Sequence, residues 1–456
     1  LLPYVDQYPI PYRNDPRFKR RAKMIYEFES ADVLQPIMYP MMARSFREAG
    51  FQWATQFAYD PLAIAYANTE YQTHYLNLAY TPAKALSLLI AGKVFREVKR
   101  GQQFRRYPAD SVFGAFRVSY REQLSEMNTD EEFYYTNTTR TAPRQPAKLR
   151  HLAGVGSSPV VTYGGSGAYF LDRVAPGVWR LEVMPDAVPV RDPFETASLR
   201  KPVTYVEWHE QPLTLQLPDL GTDFSLRGLN QGNTAQATAQ AARVTVRPGT
   251  YLLAARGKNT AAWTAESPLG ALKLGEFVGP RPAAQPPLVR HQPVAQATAG
   301  QPLRIQVQVG AANAPDSLLL VAQHFYGRTR TLPMTRSTAT TAEAAVPADL
   351  LYPGLLRYWV VLKRAGTGQR TLTFPAGVEG RPQDWDFYSP EHWQVPIVAA
   401  GSPLPLFRAA YDQRRVEVRG TENAFSGWAD YVTTPAGAPA LRLTVPVPKA
   451  DVSVAA

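Results

Sequence analysis

The chain has 456 residues, 45% hydrophobic and 19% charged, with 41 prolines and no cysteine; that is more than one core usually serves and too apolar for a disordered chain. Its formal net charge of +11 raises nucleic acid as a partner, but the basic residues are spread along the chain without a DNA- or RNA-binding motif, so a solvated arginine-rich surface, or attraction to acidic polysaccharide or outer-membrane lipid, is expected instead. The lack of cysteine excludes disulfides and thiolate sites, and no apolar run reaches ~18 residues, so no membrane-spanning helix is expected.

In chain order, residues 1–17 interleave Pro3, Pro9, Pro11 and Pro16 with Tyr4, Tyr8 and Tyr12, which predicts an extended loop. The chain begins at Leu1 rather than Met with no signal-type segment, so either its start was removed or it is part of a longer polypeptide. A basic run, Lys19-Arg20-Arg21-Ala22-Lys23, leads into an apolar strand, Met24-Ile25-Tyr26, that exits through Glu27 and Glu29. Burying an unpaired carboxylate is costly, so such acids belong to a solvent-facing strand end, a site or an arginine pair.

A helix is predicted over residues 35–49, with Ile37, Met38, Met41, Met42, Ser45, Phe46 and Ala49 on one face and Gly50 ending it; the methionines read as core. A second strand, residues 51–59, stops at Asp60-Pro61. Residues 66–80 are rich in aromatics and amides, which suits either sugar rings or tyrosines packed on a rim. The next helix has Thr81 as N-cap, Pro82 at its first position and an end near Lys99-Arg100-Gly101.

The order strand, helix, strand, helix and the string Met24-Ile25-Tyr26-Glu27-Phe28 resemble the seventh and eighth units of a (β/α)8-barrel glycoside hydrolase, of the large retaining clan that includes cellulases, β-galactosidases and β-mannanases. In that clan an acid followed by an aromatic closes strand seven as the nucleophile, so the resemblance implies Glu27 as nucleophile and Glu29 as the alternative acid. Residues 51–60 resemble strand eight, where the clan often places a tryptophan as a sugar platform; Trp53 or Tyr59 is the local equivalent. Asp60, Glu70, Tyr71 and His74 complete the expected substrate-binding set. The resemblance also implies that the first six strands and the acid/base lie outside this sequence. Retaining cleavage needs two carboxyls about 5–5.5 Å apart, so this chain alone is expected to be inert.

Beyond Phe104 the texture changes to period-two strands and turns. One sandwich is expected over residues 105–256, a linker over 257–287 around the proline-rich 279–287, a second sandwich over 288–398, and the start of a further β-rich module, of the jelly-roll sugar-binding sort, over 399–456. Pro-Gly precedes an apolar strand at Pro176, Pro248 and Pro353, resembling the start of a late strand in immunoglobulin-like or fibronectin-like modules. Trp385, Trp393, Phe425 and Trp428 suit sugar platforms or core packing. The six histidines are scattered without a His-x-x-x-His set, so neither metal nor cofactor is expected. Gly164-Gly165-Ser166-Gly167-Ala168 lacks the last glycine of a nucleophile elbow.

The expected fold class is multidomain: a partial (β/α)8 TIM-barrel segment, its last two βα units, followed by two or more all-β immunoglobulin-like or jelly-roll sandwich domains. Two functions are carried forward. One is a secreted, periplasmic or cell-surface glycoside hydrolase-like protein acting on or binding polysaccharide or oligosaccharide. The other is a non-catalytic surface structural or adhesive protein whose sandwiches space or bind other surface proteins.

Overall fold

The computed structural model describes residues 10, 12, 14–18, 21–71, 73–105, 111–311, 316–324, 327–365 and 370–403, and the backbone of four later strands, Glu417–Gly420, Trp428–Thr433, Pro439–Thr444 and Val452–Ala455. Most of the proline- and tyrosine-rich start, Phe425, and the side chain of Trp428 lie outside the described residues, as does most of the expected further module.

β1 (Met24–Phe28) and β2 (Trp53–Gln56) pair in parallel, with α1 (Met38–Glu48) between them and α2 (Pro82–Glu97) after them. α1 buries Tyr39, Met41, Ala43 and Phe46, and Gly50, at φ 87, turns the chain back into β2. α2 begins at Pro82, where a missing N–H costs nothing. Thr81 does not cap it: the Thr81 hydroxyl accepts from Asn77 N at 2.9 Å and donates to Asn77 O at 3.0 Å, so it braces the preceding turn instead.

The barrel resemblance is overturned here. The protein is almost all β-sheet, with two α-helices among the described residues, and β1 and β2 form a two-stranded sheet to which no other described strand is added. Their alternation shows why. Barrel strands are covered on both faces, whereas Met24, Tyr26, Trp53 and Thr55 face outward and Ile25, Phe28 and Ala54 face the helices. The string that suggested a barrel strand is the alternation of a half-covered one.

α1 and α2 pack instead on a large sheet. Among the described residues that sheet has ten strands, ordered Gln236–Thr238, Ser225–Gly228, Gly249–Ala254, Val178–Val183, Tyr169–Ala175, His151–Gly154, Glu132–Tyr135, Leu124–Asn128, Phe116–Ser119 and Val112–Phe113. Alternation divides it cleanly: Phe116, Val118, Met127, Tyr134 and Ala153 join the core under the helices. Phe133, Tyr135, Leu152, Leu171, Trp179 and Leu253 face a three-stranded sheet, Arg243–Val246, Gln211–Leu215 and Val161–Tyr163, and fill a second core with it. The rest of the helix-side face is covered by residues 263–276, whose Leu274 and Glu276 carbonyls receive Arg180 at 2.9 and 2.8 Å.

Residues 288–398 form a separate sandwich. A four-stranded sheet carrying Ile305, Val307 and Ala342 packs on a seven-stranded one carrying Leu320, Tyr358, Val360 and Val395. Trp393, half-buried, packs against this core, while Trp385 stands 96% exposed. The two sandwiches meet where Gly310 and Ala311 approach Val190 and Tyr205, and Glu207 accepts from Ala311 N at 2.5 Å.

Candidate functional site

Five of the side chains named from the sequence, Glu29, Tyr59, Asp60, Tyr71 and His74, lie just after β1 and in the loop that runs from Tyr59 to Tyr80. That loop is pinned by Asp60, which is buried: its Oδ2 accepts from Leu76 N at 2.5 Å, and its carbonyl accepts from Asn77 Nδ2 at 2.9 Å. The Tyr59 hydroxyl accepts from Leu78 N at 2.8 Å. So anchored, the loop delivers His74 to Glu29, whose carboxylate meets the imidazole Nδ1. Tyr71 stacks on the imidazole at 4.4 Å, and Phe57 meets it edge-on at 5.0 Å. Lys84, buried on α2, donates to the carbonyls of His74 at 2.5 Å and Ser30 at 3.1 Å, tying the end of β1 to the loop.

Burial first, then the Lys84 ammonium, pushes His74 below its usual range and favours the neutral ring. A neutral imidazole donating from Nδ1 to Glu29 leaves an acceptor lone pair on Nε2, which is buried without a partner among the described residues. Burial likewise pushes Lys84 down to about 7 against the pull of Asp60 and Asp32. Asp60 is pushed up by burial, opposed by its bond from Leu76 and by Lys84.

The expected residues therefore separate. Glu29, Tyr71 and His74 come together, and Asp60 and Tyr59 hold the loop that brings them. Glu27 is exposed and has no hydrogen bond or ion pair among the described residues; an irregular register between Ile25 and Phe28 leaves it, with Tyr26, facing solvent. Glu70 is exposed and acts on Asp60 only as a like charge. Trp53 is the first residue of β2, beside Met24 at the opposite, amino end of the pair, with its Nε1 on Thr55 Oγ1 at 3.0 Å. Phe57 and Lys84 were missed: the first was read as part of a longer strand, and the second lies on a helix whose apolar spacing gives no sign of a buried ammonium.

Among the described residues no group of three or more histidine and acidic side chains is placed to hold a metal ion, and no helix is long and apolar enough to cross a membrane. No family model matches the chain, and no curated protein matches it. Among solved structures, a marsupial T cell receptor is similar at 10% identity over 67% of this chain and 98% of that one, with a TM-score of 0.18, too low to carry an argument.

Proposed function

We propose that the protein is a non-catalytic polysaccharide-binding protein of the cell exterior, secreted or surface-held, in which β-sandwiches support a small aromatic binding surface on β1 and β2. The observation that carries this is the exposure of aromatic rings on that one parallel pair and its loop: Tyr26 at 76%, Trp53 at 63%, Tyr71 at 55% and Tyr59 at 52%. Aromatic faces left open beside carboxylates suit sugar rings, which offer apolar C–H faces and hydroxyl edges together. Binding rather than cleavage is favoured because Glu29 is committed to His74 and Glu27 stands exposed without a hydrogen bond or ion pair among the described residues. The sandwich at residues 288–398 is read as an immunoglobulin-like spacer.

The test is retention of the purified chain on a panel of immobilised polysaccharides. At least one should retain it, with Tyr26→Ala and Tyr71→Ala each weakening binding by about 3–10-fold, the share of one aromatic contact. Retention by none, or equal retention of both variants, would refute the proposal.

A further inference from the structure

A groove of about 790 Å³ lies where the first sandwich, residues 281–286 and the second sandwich meet. It shares none of the residues of the Glu29–His74 cluster. Its walls carry Arg191, Arg200 and Arg281, three guanidiniums with no carboxylate partner among the described residues. Arg191 spends one nitrogen on the Pro202 carbonyl at 2.8 Å. The fourth arginine on the wall, Arg364, is 3.7 Å from Asp316.

The one carboxylate in the lining is already used. Glu207 holds His209 Nε2 at 3.1 Å and Ala311 N at 2.5 Å, and Asp186 holds the other imidazole nitrogen at 3.0 Å. Three like charges facing one cavity repel one another, and the only carboxylate among the lining residues, Glu207, is shared with the His209 imidazole and the Ala311 amide. Such an arrangement stores attraction for an anion, and guanidinium forks suit the oxygens of carboxylate, phosphate and sulfate groups alike.

The shape narrows the class. A second groove of about 420 Å³ shares Trp208 and Arg281 with the first; it carries the Gln231 amide, the Thr234 hydroxyl, the Glu210–Arg247 ion pair, and Asn230 and Asn233, whose amides are bonded to each other and to the Thr250 backbone. The indole of Trp208 is fixed at the junction by its Nε1 bond to the Pro280 carbonyl, 2.9 Å. A compact ion would use neither the length nor the Gln231 amide and Thr234 hydroxyl. An extended chain with charged groups at intervals and hydroxyls between them would use both.

The geometry points to these joined grooves as a binding site for an acidic oligosaccharide, a sugar chain bearing carboxylate or sulfate groups, gripped by Arg191, Arg200 and Arg281 around Trp208. The inference does not depend on the aromatic surface of β1 and β2, and the two are tested apart.

Calorimetric titration of the full chain at low salt should use an oligogalacturonate hexamer, a sulfated heparin-type hexamer, a neutral cellohexaose and a thymidine oligonucleotide. One of the two acidic sugars should bind, which of them assigning the anion, and affinity should fall as salt rises. The double variant Arg200→Gln/Arg281→Gln, in exposed side chains with no hydrogen bond or ion pair among the described residues, should weaken that binding at least tenfold with unchanged thermal unfolding. Tyr71→Ala should leave it unchanged. Binding of neither acidic sugar, equal binding of the neutral hexamer, tighter binding of the oligonucleotide, or undiminished binding by the double variant would each overturn the assignment.

Discussion

The carboxylate of Glu29 meets Nδ1 of His74 across 45 positions of sequence, and this contact fastens the loop after β2 to the end of β1. Removing the acid strands a buried N–H donor, whereas Glu27, two residues earlier, supports nothing. Glu29→Ala should therefore cost about 1–3 kcal/mol, and Glu27→Ala should stay within about 0.5 kcal/mol of the parent. Urea unfolding of the two variants checks the pair. Equal losses would mean that the contact does not hold the loop.

Lys84 makes stability rise with pH. Its folded value lies near 7 and its ordinary value at 10.5, so between those limits the unfolded chain binds the extra proton and pays nothing for burying it. The folded state therefore gains on the unfolded one as pH climbs through that window. Asp60, Asp32 and the carbonyls of His74 and Ser30 face the ammonium. The thermal midpoint of the parent should rise relative to Lys84→Gln from pH 7 to pH 10, by about 2–4 °C for each kcal/mol. A flat difference would refute the burial of a strained ammonium.

His209 works in the opposite sense. Its bonds to Asp186 and Glu207 raise it from 6.5 to about 9, so the folded state holds the proton more tightly. The resulting stabilisation is complete below pH 6.5 and is lost as pH rises through 9. The imidazole keeps a quarter of its surface open, so solvent screening should hold the cost of His209→Gln to about 1 kcal/mol at pH 6, below that of a fully buried charge-assisted bond. At pH 10 the variant and parent should match. A cost that persists at pH 10 would show that the ring acts by packing rather than by charge.

Local pattern carried much of the fold. The helices, Gly50 as a stop, Pro82 as a start and the mostly β-sandwich character of the chain follow from periodicity and turn chemistry acting within a few residues, whereas residues 263–276, expected as part of a linker, cover the first sheet. Closure does not follow from local pattern. The same strand–helix–strand–helix text serves a barrel or, as here, a lone parallel pair whose helices rest on another sheet, because the outcome depends on which distant face accepts α1 and α2. Of the residues named from the sequence, Tyr71 and His74, which stand in a conspicuous aromatic segment, are the ones the loop brings to Glu29. Arg191, Arg200 and Arg281 do not stand out in the sequence, because 81 positions separate the last two and only the packing of residues 281–286 against the first sandwich brings them to one groove.

The glycines after Tyr163 carry a final prediction. Their spacing hinted at a nucleophile elbow, but packing explains the last of the run. A Cβ on Gly167 would lie 2.3 Å from the Pro185 carbonyl oxygen and 2.4 Å from that of Met184. Both atoms are backbone, and Met184 is itself held by its N–H on the Ala168 carbonyl at 2.8 Å, so neither can swing aside cheaply. Gly167→Ala should lower stability by about 1–3 kcal/mol. Gly92 is the counter-case: it sits exposed in α2 with no atom within 4 Å of an added Cβ. Gly92→Ala should raise stability by about 0.5–1 kcal/mol, because alanine has less backbone freedom to lose and suits the helix. Thermal unfolding of the two variants must therefore move in opposite directions; a shared direction would mean that chain entropy, and not the carbonyls of Met184 and Pro185, decides the first.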